Sequence, residues 1–565
     1  MTLKTWTKIA PPSLEFQEDR IHASEFGDSY FQPIKAGSDQ SHRAITVEDE
    51  IHYTFFGGND LANQFEAHAN QQFCIAELGL GSGANLSETL RFWQSMPKAP
   101  ARLDYLAFEA RPFSCTQMAQ AAAVQRLDLS CLIDVLTTDP FYPTPGISRY
   151  QLAPGFWLTL VLGDAVDTLP WFKDQLVNAW YLDGFAPARN HALWSETTLA
   201  HVGRMTRPGG SFATFTAASA VRKGLAAAGF DVQKTAGFGP KRERLVGHKP
   251  GYFVQEIPST VTISGAGIMG SWAGELAHEA GLSVTHFDPL GRMNGPGSGV
   301  PVPTVDWRPT LDFGRQGRLA LTSFLWASRA YQQHFLAACR PGPLTPLEPR
   351  IWPTFAHWGV AEPEPATDVW ETGQSLYAVP GTMTLDRSAL QFDGEVRLAP
   401  LPDVATVTLS CLGKDGGGVN STIRGQQSLF TVDEVLPERP LKVGKLGGVT
   451  ADGQFFLGSS FDREHGQDWA QPRIGDDHEA MNVFRQATAR PERLGQPAHQ
   501  WSGLRAVSVD RLPNYQQPKA GQWAINALGS HGFTFAPLLA AQWVSDLVGA
   551  PNVIDLDLLE SMERR

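Results

Sequence analysis

The stretch "IAELGLGSGANL", residues 75–86, sets three glycines at alternate positions, Gly79, Gly81 and Gly83, directly after an apolar run that carries one acid, Glu77. In a strand–turn–helix unit, glycines let the chain turn tightly and let a ligand approach the backbone, while the following helix offers unpaired N–H groups. A G-x-G-x-G turn is tighter than the turn of a dinucleotide site. An acid on the incoming strand suits a ligand with a positive ammonium better than one with a pyrophosphate, and S-adenosylmethionine is such a ligand. A second glycine turn, "VTISGAGIMGSWAGELA" from Val261, has a different spacing: Gly265, Gly267 and Gly270.

Working outward from the first turn, "FCIAELGL", "LDYLAFEA", "WLTLVLGDA", "NAWYLDGFAP" and "GSFATFT" alternate with helical-looking segments. That alternation predicts an α/β domain with a parallel, doubly wound sheet. Acids close successive strands. Glu109 stands where an acid accepts ribose hydroxyls, Asp164 falls near the adenine edge, and Asp183 faces the reaction centre at the C-terminal edge of the sheet. A solvated loop residue or a helix N-cap explains any one of them, and for Asp164 nearly as well as adenine contact does. Together, the glycine turn, Glu109, Asp164 and Asp183 point to a class I methyltransferase. Asp183 is the candidate to orient an acceptor amine and take its proton, because only a neutral amine is nucleophilic.

The second turn sits between a strand and a helix, with Asp288 about 20 residues on, the setting of a dinucleotide fingerprint for FAD or NAD. At 565 residues the chain exceeds what one hydrophobic core supports. "GHKPGYFVQEIPST", 247–260, has the prolines and glycines of a linker, so the expected domains are 1–255 and 256–565. Beyond "VTHFDP" the alternation weakens. Residues 400–460 read as short antiparallel strands inserted into the nucleotide-binding core, and "QWAINALGSHGFTFAPLLAAQWVSDLV" as a strand, a glycine turn and an amphipathic helix.

"WYLDGFAPARNHALW", "RMTRPGGSFATFTAASAVRKGLAAAGF", "GFGPKRERLVG" and, upstream, "HYTFFGGNDLANQF" resemble the methyltransferase half of the MnmC family over roughly residues 50–250. These bifunctional bacterial enzymes complete 5-methylaminomethyl-2-thiouridine at the tRNA wobble position. "GLRAVSVDRLPNY" at 503–515 and "NALGSHGFTFAPLLAAQWV" at 526–544 resemble the last flavin-contacting part of glycine-oxidase-like enzymes, including the second half of MnmC. The resemblance implies a C-terminal FAD-binding, Rossmann-like domain with an inserted antiparallel substrate region. It also implies a turn at Gly529 and Gly532 that points a helix N-terminus at the flavin ring, where its positive end would stabilise negative charge.

Taken over both halves, the resemblance implies a two-site enzyme using S-adenosylmethionine and FAD on the anticodon wobble uridine. The oxidoreductase half would strip the carboxymethyl group from 5-carboxymethylaminomethyl-(2-thio)uridine, and the methyltransferase half would methylate the freed amine. Five departures from the family pattern stand out. Arg189 replaces the usual Lys after "DGFAPA", "GPGSGVPVPTV" lacks an expected Asn, Val509 and His531 stand where Arg is usual, and 310–500 is shorter than typical. Two other readings stay open: an active methyltransferase joined to a redox-inactive flavin-fold docking module, and a fused amine oxidase acting on small metabolites.

Bulk properties narrow the class further. A formal charge of −12 argues against nonspecific coating of nucleic acid. Lys241, Arg242, Arg244 and Lys249, with Arg204, Arg207, Arg222 and Lys223, are candidate phosphate contacts, solvated surface charge being an equally good explanation of each. Five scattered cysteines without a C-x-x-C pair suit a reducing compartment and no zinc site. No metal site, signal sequence or membrane span is expected, which predicts a cytoplasmic protein. No serine-elbow, H-E-x-x-H or P-loop motif supports a hydrolase, metalloprotease or NTPase.

Overall fold

The computed structural model describes residues 9–17, 20–23, 28–31, 46–139, 144–239, 241–307, 314–346, 364–365, 376–399, 407–416, 419, 421–431, 439–443, 445–450, 453–463, 466–487 and 496–563. The chain forms two compact units: Met1–Ile257 with Ser545–Leu556, and Pro258–Val544 with Asp557–Arg565. Much of the 310–500 stretch expected to be shortened lies outside the described residues.

The first unit is built on an eight-stranded sheet. Its strands are β1 (Gln72–Leu78), β2 (Arg102–Glu109), β3 (Gly146–Ala153), β4 (Phe156–Leu162), β5 (Val177–Leu182), β6 (Thr206–Thr214), β7 (Asp231–Ala236) and β8 (Glu243–His248), and helix α1 (Ala84–Ser95) follows the first glycine turn. The order across the sheet is β7-β8-β6-β5-β1-β2-β4-β3. The five strands from β6 to β4 run parallel, with antiparallel strands added at both edges. Every residue of β1 is buried. Its side chains alternate between two cores, Phe73 and Ile75 entering one and Cys74, Ala76 and Leu78 the other, as the pleat requires of a strand covered on both faces.

Because β1 has β2 on one side and β5 on the other, chain order reverses between β1 and β5. A crevice at the C-terminal ends of strands is expected at such a switch point. The "HYTFFGGNDLANQF" segment is fastened beside it. Asn59 donates to the carbonyls of Phe55 (2.9 Å) and Trp180 (3.2 Å) and accepts from Ser211 Oγ (2.7 Å).

In the second unit β9 (Thr260–Ser264), helix α2 (Ile268–Glu279) and β10 (Ser283–Phe287) form the βαβ core. With β11 (Val396–Arg397), β12 (Thr408–Ser410), β16 (Asn514–Lys519) and β17 (Gln522–Asn526), they make a six-stranded sheet of order β11-β10-β9-β12-β17-β16. A larger, mainly antiparallel eight-stranded sheet carries β13 (Ser421–Phe430), β14 (Phe455–Gly458) and β15 (His499–Val507). Two sequence expectations change here. Thr408–Ser410, placed by sequence in the antiparallel region, pairs in parallel with β9; a three-residue strand carries no period from which its sheet could be read. Helix α3 (Gly532–Val548), expected to be amphipathic, is buried without interruption from Phe533 to Ser545. Its polar Gln542 and Ser545 are enclosed as fully as its leucines, the state of a helix covered on all sides.

The division at residue 255 assigns the last stretch of chain to the second domain, whereas the compact first unit takes Ser545–Leu556 into itself. Arg149 donates to Ser545 Oγ (2.8 Å) and to the Pro551 carbonyl. Asn552 Nδ2 donates to the Trp171 carbonyl (2.8 Å), and Lys173 pairs with Asp546. Sequence spacing has no signal for a clasp between positions so far apart. Among the described residues, no helix is long and apolar enough to cross a membrane.

Arg149→Ala removes the charged donor to Ser545 Oγ and the Pro551 carbonyl, an expected cost of about 2–3 kcal/mol. Denaturant titration of the full chain measures it on the transition of the first unit. A midpoint equal to wild type shows that the returning segment contributes nothing.

Candidate functional site

All three glycines of the first turn have positive φ: 93° at Gly79, 54° at Gly81 and 86° at Gly83. A Cβ on Gly79 would lie 2.7 Å from the Asp183 carbonyl oxygen, so the glycine is what allows the turn to press against the end of β5. Glu109, closing β2, accepts from Gly81 N (2.9 Å) through one carboxylate oxygen and from Arg111 N (2.7 Å) through the other. The turn is thereby tied to the acid on the neighbouring strand. Burial raises the Glu109 pKa, and these N–H donors oppose the rise.

Behind the turn, Glu77 is fully buried. Asn85, in the first turn of α1, donates one amide hydrogen to Glu77 Oε1 (2.6 Å) and the other to Asp183 Oδ2 (2.8 Å). Tyr105 donates its hydroxyl to Glu77 Oε2 (2.8 Å). Burial first, then repulsion from Asp183, pushes the Glu77 carboxyl well above the usual carboxylate range. Asp183 is pushed up to about 6, chiefly by burial and against its hydrogen bond from Asn85.

Two enclosed carboxylates packed this close form a site that a cation relieves. S-adenosylmethionine, with its sulfonium and ammonium, fits that requirement. Asn85 is not among the candidates read from the sequence, although an amide in the first turn after G-x-G-x-G is placed to reach back to the strand ends. Asp164 stands apart. It is exposed at the end of β4 and caps the short helix Ala165–Thr168 by accepting from Val166 N (3.0 Å), the alternative to adenine contact.

Four of the eight candidate phosphate contacts have other work. Arg207 is buried and donates to Asn178 Oδ1 (3.1 Å), Arg244 donates to the Tyr53 and Thr54 carbonyls, and Lys249 donates to the carbonyls of Gly203 and Thr206. Arg204 pairs with Asp174 (2.5 Å). Arg222, Lys223, Lys241 and Arg242 are exposed.

In the second unit the glycine turn is as crowded as the first. A Cβ on Gly265 would lie 2.6 Å from the Cys411 carbonyl oxygen, and one on Gly270 only 1.8 Å from that of Gly265. Asp288, just after β10, accepts from Ala266 N (2.6 Å) and Leu290 N (2.7 Å). A cavity of about 1310 Å³ is lined by Gly265, Gly267, Asp288, Gly529 and Gly532. Gly270 lies behind it, where α2 packs on the turn. A cradle that closes on any added Cβ, beside an acid at a strand end, fits a dinucleotide such as FAD.

Where the family pattern has Arg, His531 Nδ1 lies 3.6 Å from Asp306 Oδ1, and Asp306 is ion-paired with Lys442; all three line the cavity. Val509 is 82% exposed at the rim. Arg505, also absent from the sequence candidates, faces the cavity as well. Its guanidinium donates to the Ser460 carbonyl (3.3 Å) and has no carboxylate partner among the described residues. Burial lowers its pKa to about 10. Such a cation suits an anionic ligand.

Comparison with known proteins agrees with this division of the chain. The profile of a family described as S-adenosyl-L-methionine-dependent methyltransferase matches residues 128–250, and that of FAD dependent oxidoreductase matches residues 416–547. The tRNA 5-methylaminomethyl-2-thiouridine biosynthesis bifunctional protein MnmC of Caulobacter vibrioides is 31% identical, over 98% of this chain and 97% of its own length. That of Maricaulis maris is 29% identical, over 95% and 93%. Among solved structures, glycine oxidase from Geobacillus kaustophilus aligns at 13% identity with a TM-score of 0.44, covering 55% of this chain and 100% of that one.

Because the folded pKa of Asp183 lies above its unfolded value, its charged form destabilises the fold at high pH, and the penalty disappears as pH falls through about 6. Asp183→Asn is therefore expected to raise the melting temperature of the first unit by roughly 2–6 °C near pH 8, with the gain vanishing near pH 4. Calorimetry across that range checks it; a gain independent of pH contradicts the cause given. Gly270→Ala is expected to abolish retention of flavin absorbance by purified protein, and a fully yellow variant would show that the turn tolerates the methyl group.

Proposed function

This chain belongs to the MnmC family of bifunctional tRNA-modifying proteins, and on that premise we propose how its residues divide the work on the wobble uridine. The protein is an enzyme with a FAD-dependent oxidoreductase activity and an S-adenosylmethionine-dependent methyltransferase activity. The first removes the carboxymethyl group from 5-carboxymethylaminomethyl-(2-thio)uridine; the second methylates the aminomethyl product. The observation that carries the residue assignment is the Glu77–Asn85–Asp183 set against the first glycine turn, with Glu77 and Asn85 buried and Asp183 half-buried.

Bound S-adenosylmethionine supplies an activated methyl group. Glu109 would accept its ribose hydroxyls, and Glu77 with the Gly79–Gly83 backbone would lie along its amino-acid end. Asp183, ionised above about pH 6, orients the acceptor amine and receives its proton. Asn85 holds the Asp183 carboxylate in place. Positioning of amine against methyl group provides most of the acceleration, and general-base assistance a further factor of about 10²–10⁴.

Bound FAD supplies a two-electron acceptor in the second unit. The Gly265–Gly270 turn and Asp288 would hold its dinucleotide portion, while Gly529 and Gly532, where α3 begins, would face the ring. Arg505 would take the substrate carboxylate, for which it has the charge and no competing acid among the described residues. Two alternatives are distinguishable by experiment, a redox-inactive docking module and an oxidase of small metabolites. Colourless purified protein would favour the first, and turnover of free glycine or sarcosine the second.

Mass spectrometry of wobble nucleosides tests the proposal on tRNA bearing the carboxymethylaminomethyl group. Without S-adenosylmethionine the free aminomethyl form is expected to accumulate, and on its addition the methylated form. Starting nucleoside that stays unchanged, while supplied aminomethyl tRNA is methylated, leaves only the first half active. Asp183→Ala is expected to slow transfer by about 10²–10⁴ with S-adenosylmethionine still bound. Full-speed transfer removes Asp183 from the mechanism.

A further inference from the structure

The parallel pairing of β5 with β6 puts Leu182 opposite Thr214, so Asp183 and Phe215 leave the sheet as neighbours on its C-terminal edge. Lys241, on the turn joining β7 to β8, holds its Nζ 4.2 Å above the centre of the Phe215 ring. Its backbone N donates to the Phe238 carbonyl (3.1 Å), and Gly237 N to that of Arg242 (3.1 Å), so the turn fixes where the side chain starts. Glu50, on the helix Val47–Ile51, reaches Lys241 Nζ at 3.5 Å. Among the described residues, the charged groups around this spot include Glu50 from the opening segment, Asp183 with Glu77 behind it, Arg242 on the turn itself and Glu243 at the start of β8. Glu243 is drawn away by Lys234 at 2.7 Å. The fields of Glu50 and Lys241 both reach the Asp183 carboxylate, with opposite sign.

These positions bear on a difficulty in the proposed reaction. An alkylamine resembles a lysine, with an ordinary pKa of about 10, so at neutral pH nearly all of it is protonated and unable to attack. An anionic site makes this worse, because Asp183 and Glu50 stabilise the ammonium form of whatever amine approaches them. A cation fixed nearby works the other way.

We propose that Lys241 is a positioning residue of the methyl-transfer site, whose ammonium, held over Phe215 beside Asp183, disfavours the protonated acceptor amine and enlarges the fraction able to react. The proposal rests on the assignment of Asp183 given above. The neutral amine nitrogen forms a bond to the methyl carbon as the carbon–sulfur bond breaks, the bonding pair leaving with sulfur. The secondary ammonium so formed gives its proton to the Asp183 carboxylate. Lys241 makes and breaks no bond in this sequence. The ring beneath it and Glu50 beside it keep the charge near the reacting nitrogen, rather than letting the long side chain turn out to solvent.

The test is single-turnover transfer of a labelled methyl group to tRNA bearing the aminomethyl nucleoside, followed from about pH 6 to about pH 10, for wild type, Lys241→Met, Lys241→Arg and Asp183→Asn. Lys241→Met is expected to move the rise of rate with pH upward by about one unit, losing about tenfold at neutral pH and recovering at high pH. Lys241→Arg, which keeps the charge, is expected to follow wild type. Calorimetric binding of S-adenosylmethionine unchanged in both variants shows that the site is folded. A Lys241→Met rate reduced by one factor at every pH, or a weaker tRNA affinity with an unmoved profile, overturns the proposal; the second result would make Lys241 an RNA contact. Asp183→Asn separates the two claims. Full-speed transfer by that variant removes the base on which the proposal rests, whereas its inactivity beside an unmoved Lys241→Met profile removes Lys241 alone.

Discussion

In each unit the ligand-facing loop is tied down by the same small interaction: an acid at the end of the second strand accepts a backbone N–H from the glycine turn after the first. Glu109 does this for Gly81, and Asp288 for Ala266. Each bond joins adjacent parallel strands where the ladder has run out, so it sets how the turn approaches its ligand. The turn glycines are the other half of the constraint, since a Cβ on Gly79 or Gly265 would meet a carbonyl oxygen of a strand end or its following loop. The two spacings, G-x-G-x-G and G-x-G-x-x-G, thus end in one mechanical solution serving two kinds of ligand.

What distinguishes the first site is the concentration of negative charge it encloses. Glu77 and Asp183 share a single asparagine, whose amide spends both hydrogens on them. Burial is the first cause that pushes both carboxyls upward, with repulsion from Asp183 adding to the rise of Glu77 and repulsion from Glu50 to that of Asp183. The arrangement makes sense as a receptor for a sulfonium and an amine. It also explains how an aspartate here stands close enough to neutrality to exchange a proton within the range where enzymes work. The second site has the opposite character: a large cavity in which Arg505 has no acidic partner among the described residues and Lys442 is balanced by Asp306.

The second unit also shows how a departure from a family pattern is absorbed. His531 faces Asp306 at 3.6 Å, so the position still presents a titratable nitrogen to the cavity. Val509 sits exposed at the rim, where loss of a guanidinium leaves no buried partner stranded.

Sequence alone was enough for the two glycine turns, the acids that follow them, the strand–helix alternation of the first domain and the kind of ligand each turn suits. These depend on neighbours in the chain, and periodicity and turn chemistry report neighbours. It took the folded chain to show that Asn85 bridges Glu77 and Asp183, that Asp164 serves as a helix cap, that Arg207 and Arg244 are interior struts, and that Ser545–Leu556 returns to the first unit. The same holds for the enclosure of α3 on every side and for the place of Thr408–Ser410 in the parallel sheet. In each of these cases the partner is remote along the chain. A side chain's charge or amide then says what it can bond, but only the packed fold says which of the groups it could reach is there.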